Sequence, residues 1–197
     1  MLSEAAWFDI VTIQDLVSRE RYWRDREDWD AMRSAYTDDA QIRVTWFEGS
    51  IDDYIEGSRN PSWDAASWSK HRLSPSVVTV DGDRALAETS ALVELRVEFN
   101  DTLIDLIISV RLLSRIARTP RGWKLASMDA IYEKDVVTPV YPADRLAISA
   151  VDTAPYRRSY QFLAYGGQGQ LPEDIPGDDK PELVDALYDA AHKWLRA

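Results

Sequence analysis

Two side chains form a possible acid/base pair, Asp25 near the end of a predicted first helix and His71 at the entry to a predicted sheet. A carboxylate at the C-terminal end of a helix faces the negative end of the helix dipole, and partial burial beside Tyr22 or Trp29 would further disfavour its charged form. Both effects predict a raised pKa for Asp25, as a general base requires. A neutral imidazole paired with a carboxylate can move protons near neutral pH.

Three arginines close to Asp25 in the sequence act on its pKa in the opposite direction: Arg21, Arg24 and Arg26. A simpler interpretation of Asp25 is therefore an ion pair with an arginine one turn away, on a solvated helix face. The corresponding interpretation of His71 is a structural histidine. Spacing alone leaves the catalytic and the structural interpretations open.

The last predicted strand carries another candidate, Asp129, which has apolar neighbours in the sequence. Strand alternation puts Ser127, Asp129, Ile131 and Glu133 on one face and Met128, Ala130 and Tyr132 on the other. Asp129 would support catalysis if it points into the fold, and it is an exposed surface acid if it points out. Because one β-bulge exchanges the two faces, the sequence leaves this choice open.

Hydrophobic periodicity predicts helices first and a sheet afterwards. Apolar residues recur at helical spacing from Phe8 to about Arg26, a second short helix with its N-cap near Asp28 extends to Tyr36, and a third spans 51–58. Alternation and turn residues then predict strands at 41–47, 77–80, from the turn at 81–83 up to 99, 102–117 and 123–133. This order predicts an α+β fold, a cone-shaped α+β barrel in which a curved antiparallel sheet and about three N-terminal helices enclose a pocket.

Four aromatic side chains lie in the predicted helical lid and its flanks, and we expect them to bind substrate: Trp46, Tyr54, Trp63 and Trp68. We assign residues 1–135 to the cone domain and 136–197 to a C-terminal extension packed on it. The extension ends in a helix from Pro181 to Leu195. The aromatic path before that helix either crosses the open end of the cone and gates the pocket or caps the outer sheet.

Composition narrows the function classes. A formal net charge of −11 with no basic stripe argues against nucleic acid as a partner. Because the chain has no cysteine and only two histidines, we predict neither a disulfide framework nor a metal site, and no cofactor. The acidic N-terminus and the lack of an apolar run long enough to cross a bilayer predict no membrane association and a cytoplasmic protein.

Several fragments, in this order and spacing, resemble the SnoaL-like, scytalone dehydratase-like branch of the nuclear transport factor 2-like superfamily. They are Ile13-Gln14-Asp15-Leu16, Asp25, Trp29-Asp30, Asp38-Asp39-Ala40, His71 and the run from Asp81 to Ala85. The resemblance covers about residues 8–135. It implies that Asp25 and His71 are an acid/base dyad of the kind that dehydratases and dehydrochlorinases of this branch use.

One departure from the family pattern concerns the position five residues before the aspartate. Relatives have lysine or tyrosine there, in contact with the substrate, whereas this chain has Glu20. We expect Glu20 to contact the substrate as well, but a carboxylate cannot supply that cation, so the chemistry at this position must differ. The hydroxyl of Tyr22 could replace it, although an ordinary core tyrosine is the simpler interpretation.

The resemblance implies a cofactor-independent enzyme, a dehydratase (lyase) or an isomerase/cyclase, acting on a small hydrophobic or polycyclic organic molecule. The alternative is a non-catalytic small-molecule-binding or assembly module, such as the small subunit of a ring-hydroxylating dioxygenase, because one fold serves many functions. We also expect a homodimer or higher homo-oligomer formed through the outer face of the sheet, where the strand at 102–117 is apolar on both sides.

Overall fold

The computed structural model describes residues 3–59, 68–99, 101–168 and 171–197. Helix α1 spans Glu4–Asp25. Its N-cap is Ser3, whose hydroxyl accepts the amide hydrogen of Ala6 at 3.2 Å. The chain turns at Glu27, which has a positive φ of 61°, and helix α2 follows at Trp29–Ser34. Asp28 caps α2 by accepting from the backbone of Ala31 at 3.3 Å, as predicted.

The predicted extension of the second helix to Tyr36 is wrong. The helix ends at Ser34, and Tyr36 begins strand β1, where it pairs with Leu125. The amide of Leu125 also donates to the carbonyl of Ala35 at 2.9 Å. Pairing with a strand almost ninety residues away therefore overrides the local helical pattern, which no short sequence window can report.

The described part of the chain contains seven strands in one unclosed, curved sheet of order β2-β1-β7-β6-β5-β3, with β4 paired to β5. The strands and helix α3 are β1 Tyr36–Val44, β2 Phe47–Ser50, α3 Ile51–Arg59, β3 Trp68–Leu73, β4 Val77–Asp81, β5 Arg84–Phe99, β6 Thr102–Thr119 and β7 Gly122–Pro139. All pairings are antiparallel except β1 with β7. The predicted α+β cone is confirmed.

The inner face of the sheet packs against the N-terminal helices. Alternate residues of β6 on this face are buried, among them Leu106, Ile108 and Leu112, and they join Ile13 and Val17 of α1 in one core. Burying one such side chain contributes about 1.5–3 kcal/mol. This contact holds the C-terminal end of α1 beside the strands, where Asp25 lies.

The C-terminal extension contains α4 at Ala150–Thr153, a 3-10 turn at Arg158–Tyr160, α5 at Gln161–Leu163, a π-turn at Ala164–Gln168 and α6 at Pro181–Leu195. Helix α6 has the predicted bounds and packs on the outer face of the sheet. Its residues Val184, Ala191 and Leu195 are buried with Leu86, Leu113 and Ile131 of the sheet. Part of the face that we expected a second copy to cover is therefore covered by this chain, and the homodimer remains a prediction for the rest of it.

Ion pairs join the extension to the sheet. Arg111 of β6 lies 2.7 Å from Glu133 of β7 and 2.9 Å from Asp178 of the extension. The amide of Asp178 donates to the carbonyl of Tyr132, so the chain adds a short bridge beside β7. These contacts hold the extension on the cone domain, so that its aromatic path lies against the mouth of the cone.

Candidate active site

A cavity of about 830 Å³ lies between the N-terminal helices, the inner face of the sheet and the extension. Pockets that hold a small organic ligand have about this volume. Its apolar walls come from β1, β6 and β7, including Val44, Ile108, Val110, Met128 and Ala130. Its polar end is formed by the last turn of α1 and by β3.

Asp25 and His71 are hydrogen-bonded to each other at this polar end, and both line the cavity. The Oδ1 atom of Asp25 lies 2.7 Å from Nδ1 of His71, and Oδ2 accepts the backbone N–H of His71 at 2.7 Å. The side chain of Lys70 donates to the backbone carbonyl of Asp25. Strand β3 thus fixes both the carboxylate and the end of the helix, so the pair is rigid.

The pKa of Asp25 is lowered, which corrects our expectation of a raised value. Burial acts to raise the pKa, but the side-chain bond from His71, its charge, its backbone N–H and the charge of Arg24 outweigh burial. An ionised carboxylate accepts hydrogen bonds only, so Nδ1 of His71 carries the hydrogen. The other ring nitrogen, Nε2, is then left with its lone pair and can take a proton.

The pKa of His71 is lowered as well. Burial is the main cause, and the nearby charges of Arg21 and Arg24 add to it, while Asp25 acts in the opposite direction. The imidazole is therefore neutral at neutral pH. An ionised carboxylate beside a neutral imidazole is the arrangement that makes the histidine the proton acceptor of the pair.

Glu20 lies behind the cavity and does not line it, which corrects our expectation that it contacts substrate. The residue is 1% exposed, its carboxylate accepts two N–H groups of Arg21, and it accepts the hydroxyl of Tyr36 at 2.8 Å. Because a buried carboxylate requires such partners, Glu20 holds the guanidinium of Arg21 in place. Arg21 itself lines the cavity.

Tyr22 and Asp129 also lie outside the cavity wall. Tyr22 is 57% exposed and stacks under the guanidinium of Arg26. Met128, Ala130 and Tyr132 line the cavity, so Asp129 occupies the opposite face of β7, where burial raises its pKa and the nearby Arg115 and Arg43 act against that rise. Neither residue is therefore carried into the proposed site.

Trp46 and Tyr54 line the cavity as expected and stack on each other with ring centroids 5.2 Å apart. The predicted contact from Trp63 lies outside the described residues. Trp68 is placed by its backbone at the start of β3, opposite Arg96 of β5. The aromatic wall that the structure describes is thus formed by Trp46, Tyr54 and their neighbours Phe47 and Trp29.

The extension closes one side of the cavity. Leu163, Leu171, Pro172 and Ile175 are among the lining residues, so part of the extension reaches the cavity, and a gating role stays a prediction. The backbone N–H groups of Phe162 and Leu163 donate to one oxygen of Asp135, both at 2.8 Å. We name the stretch 156–175 the lid. Its attachment to β7 at Asp135 positions Leu163 over the cavity.

Within the described residues, no cluster of three or more histidine and acidic side chains is close enough together to hold a metal ion. None of the described helices combines the length and the apolar content that crossing a bilayer requires.

The sequence profile of the SnoaL-like domain matches residues 7–129, well over half of the chain. The chain belongs to the SnoaL-like family. Pea pathogenicity protein 2 of Fusarium vanettenii is 26% identical over 187 residues, which cover 88% of this chain and 79% of that protein. The match of the profile ends within β7, the last strand of the cone, so the extension lies beyond it.

Solved structures share the fold of this SnoaL-like domain. A scytalone dehydratase-like protein from Novosphingobium aromaticivorans superposes with a TM-score of 0.58 at 12% identity, over 75% of this chain and 99% of that one. A type 2 hexachlorocyclohexane dehydrochlorinase, LinA, gives a TM-score of 0.56 at 15% identity, over 69% and 93%. At such identities the likeness shows the fold alone.

Sequence reasoning considered Arg21 and Arg24 only for their effect on Asp25, whereas both line the cavity of the SnoaL-like domain. Their positions contained the signal, because residues three and four apart share a helix face, and Arg24 adjoins Asp25. Tyr132 was also missed as a wall residue. Its hydroxyl is tied to Thr45, at 3.1 Å from the amide and 3.0 Å from Oγ1, and burial raises its pKa to about 12.

Proposed function

We propose that this protein is an acid/base lyase that removes water from a small carbonyl compound, or an isomerase that moves a double bond in one, with His71 as the base and Asp25 as its partner. The observation that carries the proposal is the hydrogen-bonded Asp25–His71 pair at the polar end of a cavity with apolar walls. The fold shared with a dehydrochlorinase and a scytalone dehydratase-like protein supports it.

In the dehydration, Nε2 of His71 removes a proton from the carbon next to the carbonyl group. The electron pair of the broken C–H bond forms a C=C bond, and the C–O bond to the neighbouring hydroxyl breaks. The proton on Nε2 then passes to the departing oxygen, so water leaves and the imidazole is neutral again. Proton transfer by a positioned side chain typically contributes about 10²–10⁴-fold to the rate.

Asp25 acts through His71 in this mechanism. Its ionised carboxylate holds Nδ1–H, fixes the tautomer in which Nε2 is the base, and stabilises the imidazolium that forms after proton removal. Because the backbone N–H of His71 binds the second carboxylate oxygen, the pair keeps its orientation without substrate. The apolar walls exclude water, which strengthens these charge interactions.

A suitable probe is 3-hydroxy-1-tetralone, a bicyclic β-hydroxy ketone whose loss of water gives fluorescent 1-naphthol. We expect the protein to accelerate this reaction, or the exchange of the hydrogens next to the carbonyl in D₂O followed by NMR. Substituting His71→Gln should lower either rate by about 10²–10⁴-fold. His192→Gln changes an exposed histidine of α6 outside the cavity and serves as the matched control.

The acid/base proposal fails if wild type and His71→Gln give equal rates in both assays. Binding of the tetralone without exchange or water loss would instead favour the alternative of a non-catalytic binding module.

A further inference from the structure

At the polar end of the cavity, which we call the floor, Arg21 and Arg24 lie beside the carboxylates of Glu20 and Asp25, whereas the other acidic lining residues lie at the rim. Arg21 and Arg24 line the floor one turn apart on α1. Of the acidic lining residues, Glu27 and Glu48 are exposed to solvent, and Glu48 lies 3.5 Å from the guanidinium of Arg43. Because water screens exposed charges far more than buried ones, a ligand at the floor experiences the arginines more strongly than these acids.

The two floor arginines differ in how well they are paired. Arg21 donates to both oxygens of Glu20. Arg24 has only long contacts from Nη1, 3.4 Å to Oγ of Ser69 and 3.6 Å to Oδ1 of Asp25, and its buried Nε has no partner in the described part of the chain.

The carboxylate of Asp25 does not hydrogen-bond to Arg24, because the 3.6 Å between Nη1 of Arg24 and Oδ1 of Asp25 is too long for such a bond. A guanidinium has five N–H donors in a planar fork that fits a carboxylate, and a buried donor without a partner is costly. Arg24 therefore has the N–H groups of its Nη atoms to offer at the cavity floor, beside the acid/base pair, whereas its buried Nε is not exposed to the cavity.

Tyr54 supplies a second donor at the same place. It is 3% exposed and lines the cavity, and a tyrosine hydroxyl can donate its hydrogen to a ligand. Burial acts to raise the pKa of Tyr54, but the charges of Arg21 and Arg24 and the bond from Arg21 outweigh burial and lower it. The lowered pKa reports a positive potential at this hydroxyl, which favours an anionic acceptor.

We infer that the cavity binds a small organic acid, whose carboxylate lies on the guanidinium of Arg24 and the hydroxyl of Tyr54. The inference rests on the proposed function only in placing the substrate in the same cavity. It adds that the substrate is an anion and that its carboxylate lies near the carbon from which His71 removes the proton. The apolar walls then hold the hydrocarbon part of the molecule.

The test compares two unreactive probes of nearly the same shape, 2-naphthoate and 2-naphthamide, titrated at pH 7.5 and followed by calorimetry. We expect the wild-type protein to bind the naphthoate at least about tenfold more tightly, since hydrogen bonds to a charged group are stronger than those to a neutral amide. Arg24→Gln should abolish this preference, and Arg24→Lys should retain part of it because the charge stays and the fork is lost. Tyr54→Phe should reduce it.

Arg26→Gln is the matched control, because it removes the same charge from an exposed position two residues away. It should leave the preference for the naphthoate unchanged. If Arg24→Gln proves unfolded by circular dichroism, Arg24→Lys and Tyr54→Phe decide the result. Equal affinity of wild type for the two probes, a preference that is undiminished in these cavity variants, or no binding of the naphthoate at millimolar concentration would overturn the inference.

The two proposals can fail separately. His71→Gln should keep the preference for the naphthoate, because binding of an unreactive acid needs no base. A protein that prefers the naphthoate but never exchanges carbon-bound hydrogen would support the organic-acid binding site and contradict the acid/base reaction. Exchange activity with no preference between the probes would support the acid/base reaction and contradict the binding of an organic acid.

Discussion

Asp25 and Asp135 are two largely buried carboxylates in one fold, and their pKa values shift in opposite directions. Asp25, at the cavity floor, binds a histidine through both oxygens and has Arg24 at 3.6 Å, and its pKa is lowered. Asp135, under the lid, accepts two backbone N–H groups with one oxygen. Its other oxygen is buried without a partner in the described residues, and burial raises its pKa to about 6.

The difference between the two pKa values shows which partners a buried carboxylate needs in order to stay ionised. Two backbone dipoles do not compensate for the burial of Asp135, whereas an imidazole and a guanidinium compensate for that of Asp25. The floor is therefore arranged to keep a charge that orients His71. At the lid, the carboxylate binds backbone N–H groups of the extension and can change its charge near pH 6.

The largest expected effect separates the two residues by chemistry. Asp25→Asn should lower the rate of hydrogen exchange or water loss by about 10³-fold, because an amide can hold His71 in the wrong tautomer and cannot stabilise the imidazolium. Asp135→Asn should change the same rate by less than about fivefold, since Asp135 does not line the cavity. Steady-state kinetics of both variants, with their folding checked by circular dichroism, measures this ratio. Equal losses would show that the two carboxylates share one role.

A smaller effect concerns stability. The folded-state pKa of Asp135, about 6, lies above its ordinary value of 3.8, so the folded protein binds this proton more tightly than the unfolded chain does. The contribution to stability is therefore fully present below pH 3.8 and is lost as pH rises to about 6. The loss amounts to at most roughly 3 kcal/mol.

Urea unfolding between pH 4 and 7 tests this prediction. Wild type should lose stability relative to Asp135→Asn as pH rises through that window, because the asparagine has no proton to release. Asp39→Asn alters an exposed acid of β1 and should run parallel to wild type. The slopes carry the prediction, and parallel curves for wild type and Asp135→Asn would contradict it.

The floor and the lid also differ in how far the sequence alone could predict them. The helical period of α1 and the alternation of β5 and β6 define their faces locally, which is why the cone was predictable. The bounds of α6 were predictable from its own local sequence in the same way. The resemblance to a known family predicted that Asp25 and His71 form a pair. The role of Asp135 was not predictable, since it depends on amides of the lid, a segment whose sequence shows neither helical nor strand periodicity.

The remaining errors have the same physical origin. Tyr36 joined β1 instead of α2 because its partner is Leu125, and the inner face of β7 could not be chosen until its pairing was known. β-Bulges in the pairing of β6 with β7, at Ser109 and at Arg115, show how easily such a choice is reversed. Long-range pairing decides both cases.

The smallest expected effect is the influence of Asp135 on the pH profile of activity. If His71 is the base, its protonation abolishes the reaction, so kcat/KM should fall about tenfold per pH unit below the pKa of His71. That pKa is lowered from 6.5 by burial and by the two floor arginines, so the midpoint of the fall should lie below 6.5 in wild type.

Asp135→Asn should leave this acid limb in place, with rates within about twofold of wild type at each pH, because the lid carboxylate takes no part in the proton transfer. The control is Arg24→Lys, which keeps the positive charge near His71 and should also keep the midpoint below 6.5. The comparison between the two carboxylates breaks if Asp135→Asn removes the acid limb. The fall of kcat/KM at acid pH would then result from protonation of Asp135 under the lid, and not from protonation of His71.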